Sequence, residues 1–262
     1  MEQLKLSNFK PITFDLDGVI YRGETLLPGV TELIARLRSE SKPFLFLTNN
    51  SAKTCNQVLE KLLRLGLKDI NLQQVLTSAV ALGLWLKTNV ERDKKIFIFG
   101  MDGLRHEVEN IGFQITDESD ADYVVAGFNS NISYQQLSNA SLALRNGARL
   151  LAANLDASIP TERGLLPGTG ALIAALTHPT NTQPHIVMGK PATRIYNLAT
   201  DKLGFAAEDT LMIGDRLDTD IIGANNAGLK SALVLTGVST KADLESSSVK
   251  PDYVLSGLTD VE

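Results

Sequence analysis

Two carboxylates one residue apart, Asp15 and Asp17, close an apolar run in ITFDLDGVIYRG, and Gly18 follows at once. Side chains alternate along a strand, so in regular geometry both acids share one direction and Leu16 points the other way, into a core. Carboxylates this close repel by about 4 kcal/mol at ~4 Å and an effective dielectric of about 20. A divalent cation removes that repulsion, and oxygen-only ligands favour Mg²⁺. An acidic turn after a strand is the alternative. Three more apolar runs end in polar groups. FLFLT runs into Thr48, Asn49, Asn50 and Ser51. A hydroxyl and loop N–H groups there suit an anion, and Asn and Ser equally suit a helix cap. HIVMGK ends in Lys190, and TLMIGD ends in Asp215, with Asp220 shortly after. Carboxylates, one lysine, one hydroxyl and backbone N–H groups suit a Mg²⁺-bound phosphate monoester. Metal and lysine would neutralise the phosphoryl oxygens. One carboxylate can act as nucleophile and a second as acid and then base.

That chemistry requires the four runs to be strands meeting at one sheet edge. The pattern between them supplies the elements. Val30, Leu33, Ile34 and Leu37 recur at helical spacing after Pro28, and Ala52 to Leu65 reads as a helix closed by Gly66. Thr77 or Ser78 can cap a helix through Lys87. From Lys95 a second series begins: strands IFIFG, YVVAG and RLLAAN alternate with helices ended by Gly112 and Gly147. After a loop from Leu155 to Pro167 comes a short helix, Gly170 to Leu176. HPTNTQP, residues 178–184, reads as a joint. Beyond it the first series resumes with HIVMGK, a helix to Leu203, TLMIGD, a helix from Thr219 to Ala227, SALVLTG and DYVLSG. Strands alternating with helices imply parallel sheets. The expected architecture is α/β: a Rossmann-like parallel-sheet core of residues 1–77 and 185–262, with a smaller α/β cap domain of residues 78–184 inserted in it.

The chain has 262 residues, 44% hydrophobic and 21% charged, with a net charge of -5. Nothing in it forms a basic tract, which argues against a nucleic-acid surface. The single cysteine, Cys55, excludes an intrachain disulfide and a cysteine-rich zinc site. No apolar run reaches the ~20 residues of a membrane span, and the first residues lack a signal-peptide core, so the cytoplasm is the expected compartment. Trp85 reads as packing, and His106, His178 and His185 have no metal-ligand spacing.

The ordered motifs FDLDGVIYRG, LTNNS, GKP and GDRLDTDI resemble those of phosphatases of the haloacid dehalogenase superfamily. With VVAGFNSNISYQQL, GARLLAAN and LLPGTGAL between them, the chain is most similar to the class IIA type. That group carries a large α/β cap between the second and third motifs and acts on p-nitrophenyl, nucleotide, phosphoglycolate or pyridoxal phosphates. The resemblance covers nearly the whole chain. It implies that Asp15 is the nucleophile and a Mg²⁺ ligand, and that Asp17 is the acid/base with its backbone carbonyl on the metal. Thr48, Asn49 and Asn50 would bind the phosphate, and Lys190 would neutralise nucleophile and phosphate. Asp215 would ligate the metal, and Asp220 would complete or support that site. Asp218 falls outside the GDxxxxD spacing and reads as a solvated or helix-capping acid. Arg216 reads either as closing over the site or as an exposed arginine.

The resemblance also implies a small-molecule phosphate ester as substrate and a homodimer through the cap. Asn154 and Asp156, in the cap loop with Arg163, would contact the substrate. Two positions depart from the family pattern: Asn129 stands where relatives often have Asp, and Asn154-Leu155-Asp156 where they often read Asn-Pro-Asp. Both lie in the cap and bear on substrate choice. A phosphotransferase using the same aspartyl phosphate, a hydrolytic dehalogenase and a non-catalytic phosphate-binding protein are the alternatives. The dehalogenase has little use for an acid at position 17.

Overall fold

The computed structural model describes residues 4–161 and 163–262. The chain forms two compact units. One comprises the residues up to Thr48, Val58–Leu76 and Lys190–Glu262; the other comprises Asn49–Gln57 and Thr77–Gly189.

Among the described residues the first unit carries a six-stranded sheet. Its order is Tyr253–Leu255, Lys230–Val234, Leu211–Gly214, Ile12–Phe14, Phe44–Thr48 and Val75–Thr77. The central strands are apolar runs without alternation, as expected where both faces of a parallel sheet are covered. Ile12, Phe14, Phe44, Phe46, Leu211 and Ile213 are all buried. The register brings the strand ends level. Ile12–Phe14 lies parallel to both neighbours, with Phe14 opposite Ile213 on one side and Phe46 on the other. The residues at the ends of these strands, Thr48 as the last of its strand and Asp15 and Asp215 just after theirs, therefore emerge at one edge. This is the edge where open α/β sheets bind ligands. Beyond Asp17 the chain folds back as a short hairpin, Tyr21–Arg22 against Thr25–Leu26.

The second unit has its own parallel sheet, in the order Ile186–Val187, Arg149–Ala152, Tyr123–Ala126, Lys95–Phe99 and Gln114–Thr116. Its core gathers Phe97, Phe99, Val124, Leu150, Ile173 and Leu176. Three sequence expectations are corrected here. The loop expected from Leu155 to Pro167 contains an antiparallel hairpin, Ser158–Thr161 with Gly164–Pro167. The helix expected to stop at Leu176 runs over Thr169–Thr180, so part of the expected joint is helical. Most consequential, HIVMGK is not a strand of the first sheet. Ile186 pairs with Leu151, and the N–H groups of His185, Met188 and Gly189 donate to the carbonyls of Leu150, Ala152 and Ala153. An apolar run this short satisfies either sheet, but it follows directly on the helix Thr169–Thr180 of the second unit, and that strand–helix–strand connection lays it parallel beside Arg149–Ala152. No helix among the described residues is long and apolar enough to cross a membrane.

Candidate active site

Asp15 follows its strand directly, and its N–H donates to Ile213 O at 2.9 Å, extending the ladder by one bond. Carboxylate oxygens of Asp15, Asp215 and Asp220 lie within 4.8 Å of one another, all buried. The Lys190 ammonium stands among them. It donates to Asp15 Oδ1 at 2.5 Å and to Asp220 Oδ1 at 2.6 Å, and only 3% of its side chain is exposed. Lys190 is not carried by a core strand. It is the first residue after the chain leaves the second unit's sheet.

Asp220 is held from both sides. Its Oδ2 accepts the N–H groups of Asp215 and Arg216 at 3.2 and 3.1 Å, and Oδ1 takes the lysine. A Cβ at Gly214 would overlap its side chain. The segment that returns Asp220 to the site is a π-helical turn, Leu217–Ile221, ahead of the helix Ile222–Asn226, not a regular helix from Thr219. The buried Tyr196 hydroxyl donates to the Thr219 and Asp220 carbonyls at 2.9 and 3.1 Å, tying down a turn whose wider ring leaves carbonyls less regularly paired.

Asp215 has a different balance. Its Oδ2 accepts the Val238 N–H at 2.7 Å, while Oδ1 is buried with no hydrogen-bond donor among the described residues. Gly18 and Gly237 make room for it. A Cβ on Gly18, which has φ +83°, would come 2.5 Å from Asp215 Oδ2. A Cβ on Gly237 would overlap the same carboxylate.

Burial, with Asp220 and Asp215 nearby, pushes the Asp15 carboxyl well above the usual carboxylate range despite the lysine. Burial and Asp220 push Asp215 up to about 7. Burial pulls the Lys190 ammonium down, but Asp15 and Asp220 outweigh it and hold the group well above the ordinary lysine value. Three carboxylates against one lysine leave excess negative charge in a desolvated place. With a buried oxygen that has no donor, this hard-oxygen set fits Mg²⁺. Asp15 and Asp215 are the acids suited to hold it. Both Asp220 oxygens are already engaged, so a supporting role is the one its geometry favours.

The remaining expected residues take varied places. Thr48 is buried at its strand end. Asp17 is exposed, its side chain lies outside the carboxylate cluster, and Oδ2 accepts the Tyr21 hydroxyl. Within the second unit the Asp156 carboxylate accepts Asn49 Nδ2 at 3.2 and 3.1 Å and Asn154 Nδ2 at 2.7 Å. Asn154 Oδ1 is buried without a donor among the described residues. Asn50 Oδ1 accepts the N–H groups of Ala52 and Lys53 in a local turn. The helix that follows is capped by Thr54, which exchanges bonds with Gln57, and not by Asn or Ser of LTNNS. Asp218 is a solvated acid and not a cap, and Arg216 grips it through Nε at 3.0 Å and Nη2 at 2.7 Å.

Sequence reasoning missed Tyr21, Tyr196 and the loop Thr236–Ser239. That loop supplies Val238 N–H to Asp215, the Ser239 hydroxyl to Leu217 N–H and the Thr236 hydroxyl to Gly18 O. Its one signal was the glycine closing SALVLTG.

Fold and site together define a class: a parallel α/β protein with a carboxylate–lysine centre suited to phosphoryl chemistry. Comparison with known proteins narrows it. Residues 12–114 match the haloacid dehalogenase-like hydrolase family, and residues 187–261 match the HAD-hydrolase-like family. The chain is 36% identical over 255 residues to the 5'-nucleotidase YutF of Bacillus subtilis, covering 97% of this chain and 98% of that one. A 4-nitrophenylphosphatase structure from Thermotoga maritima superposes with a TM-score of 0.93 at 33% identity, covering 97% of each chain. A glycerol phosphate phosphatase from Mycobacterium tuberculosis, solved in complex with magnesium, gives 0.90 at 34% identity, covering 99% of this chain and 78% of that one. The chain belongs to the haloacid dehalogenase-like hydrolases of class IIA type and is an enzyme of their phosphatase group.

Proposed function

We propose that this enzyme is a Mg²⁺-dependent phosphatase of small phosphate monoesters that works through an aspartyl phosphate on Asp15. The observation that carries the reading is the buried Asp15–Lys190–Asp220 bridge beside Asp215, whose Oδ1 lacks a donor among the described residues. Asp15 and Asp215, with the Asp17 carbonyl, would hold the ion, which supplies positive charge against the phosphoryl oxygens. Asp15 attacks phosphorus and the P–O ester bond breaks. Asp17 gives its proton to the leaving alcohol oxygen, then takes one from the water that attacks the aspartyl phosphate. Phosphate leaves and Asp15 is regenerated. Lys190 keeps Asp15 oriented and offsets charge on both nucleophile and phosphoryl group, while Thr48 and the Asn49 and Asn50 N–H groups bind the phosphate.

The inserted cap selects the substrate, with Asn154 and Asp156 in its binding loop. A homodimer through the cap and a cytoplasmic location belong to the same reading. Nucleotides, glycerol phosphate and nitrophenyl phosphate are the first substrates to try, given the relatives. Phosphate release from p-nitrophenyl phosphate, with Mg²⁺ and then with excess chelator, tests the proposal. Turnover should need the metal, and full turnover in chelator would sink it.

A further inference from the structure

The hairpin after Asp17 is built more firmly than a two-residue ladder requires. Tyr21 is 5% exposed, and its ring packs under the Lys61 ammonium, 3.7 Å from the ring centroid. Lys61 sits on the helix Cys55–Arg64 with a side chain only 13% exposed, and it also faces Glu24 at 3.7 Å. Arg64, one turn on, pairs with Glu24 at 2.7 Å. On the backbone, Tyr21 N–H donates to Leu16 O and Gly18 N–H donates to Tyr21 O, closing a loop around Asp17. The neighbouring Arg22 guanidinium donates to Thr236 O, and the Thr236 hydroxyl donates to Gly18 O.

All of this fixes where one polar atom of Tyr21 can lie. A buried ring held by a cation on its face could be phenylalanine without loss of packing. The hydroxyl instead donates to Oδ2 of the exposed Asp17 at 3.2 Å. A short acid has several staggered orientations open to it, of which only some face a leaving oxygen. A donor on a rigid hairpin limits those orientations.

We infer that Tyr21 is a positioning residue that holds the Asp17 carboxylate toward the leaving group, with Lys61 locking the phenol in place. The inference rests on the reading of Asp17 as acid/base. It assigns to the hairpin a part in turnover, not only in folding.

The test measures kcat and KM on glycerol phosphate, whose alkoxide needs a proton, and on p-nitrophenyl phosphate, whose leaving group hardly does. The variants are Tyr21→Phe, Lys61→Met, Asp17→Asn and the double Tyr21→Phe/Asp17→Asn. Tyr21→Phe should lower kcat on glycerol phosphate about tenfold, the scale of one hydrogen bond to a charged group, and change p-nitrophenyl phosphate turnover and KM little. Lys61→Met should move the same ratio in the same direction by less. In the Asp17→Asn background, Tyr21→Phe should add nothing, because the group it orients is gone. A purely structural tyrosine would instead lower both substrates alike, or lower the Asp17→Asn enzyme by the same factor again. Either result overturns the inference. If Asp17→Asn itself fails to discriminate between the two esters, the acid/base reading falls instead, so the two failures are told apart. Thermal unfolding of each variant shows that it is folded.

Discussion

Asp215 gives the most quantitative expectation. Its carboxyl titrates near 3.8 in an unfolded chain and is pushed up to about 7 in the folded, metal-free site. Between those values the folded state keeps a proton that the unfolded state has lost, so rising pH favours unfolding. A shift of this size corresponds to about 4 kcal/mol, fully present below pH ~4 and lost by pH ~8. Asp15, also raised by burial, acts in the same direction. Mg²⁺ must reverse the trend, because it binds the ionised acids and releases their protons; below pH ~7 its apparent affinity should fall about tenfold per unit for each proton displaced. The assay is urea unfolding in chelator at pH 5, 6, 7 and 8, for the unaltered protein and for Asp215→Asn. The unaltered protein should lose stability across the series. Asp215→Asn should remove about 3 kcal/mol of that drop, the part of the shift that falls between pH 5 and 8, and the remainder belongs to Asp15. Calorimetry in buffers of different ionisation enthalpy counts the protons released on Mg²⁺ binding. Equal pH dependence in the two proteins, or metal binding without proton release at pH 6, would refute the argument.

Three further outcomes are expected. Asp15→Asn should leave almost no turnover, because the uncatalysed hydrolysis of phosphate monoesters is among the slowest known; Asp17→Asn should lose about 10²–10⁴-fold on alkyl phosphates and less on p-nitrophenyl phosphate, read as kcat for each. Gly237→Ala puts a methyl into the Asp215 carboxylate and should raise the Mg²⁺ concentration for half-maximal activity at least tenfold; an unchanged metal titration would show that the loop does not shape the metal acid. Asp156→Ala removes the acceptor of the Asn49 and Asn154 amides in the cap's binding loop, so kcat/KM should fall by factors that differ from ester to ester, whereas an equal fall on every ester would mean that Asp156 is only structural.

Much of the site is legible in the chain because its logic is local. A run such as ITF or FLFLT, with no charge and no polar alternation, has to be buried on both faces. The polar residue that ends it has to sit where the sheet meets solvent, so Asp15, Thr48 and Asp215 are placed by the order of residues alone. Gly112 and Gly204 end their helices in the left-handed conformation for an equally local reason. What the chain left open were choices between partners far apart in sequence. The run Ile186–Met188 has no feature that prefers one parallel sheet to another. Its pairing with Leu151 follows from the connection through the helix Thr169–Thr180, which returns the chain beside Arg149–Ala152, and this is why Lys190 reaches Asp15 and Asp220 without a core strand beneath it. The π-helical turn that places Asp220 depends on Tyr196, more than twenty residues earlier, and the bed of Asp215 depends on Gly18 and Gly237. The Tyr21 hydroxyl has meaning only once Lys61 covers its ring and Asp17 lies within reach. Residue type and periodicity carry the acids and the strands. Close packing and long-range hydrogen bonds, visible only in three dimensions, decide which acids share charge, which is already engaged and which has an oxygen left for a metal.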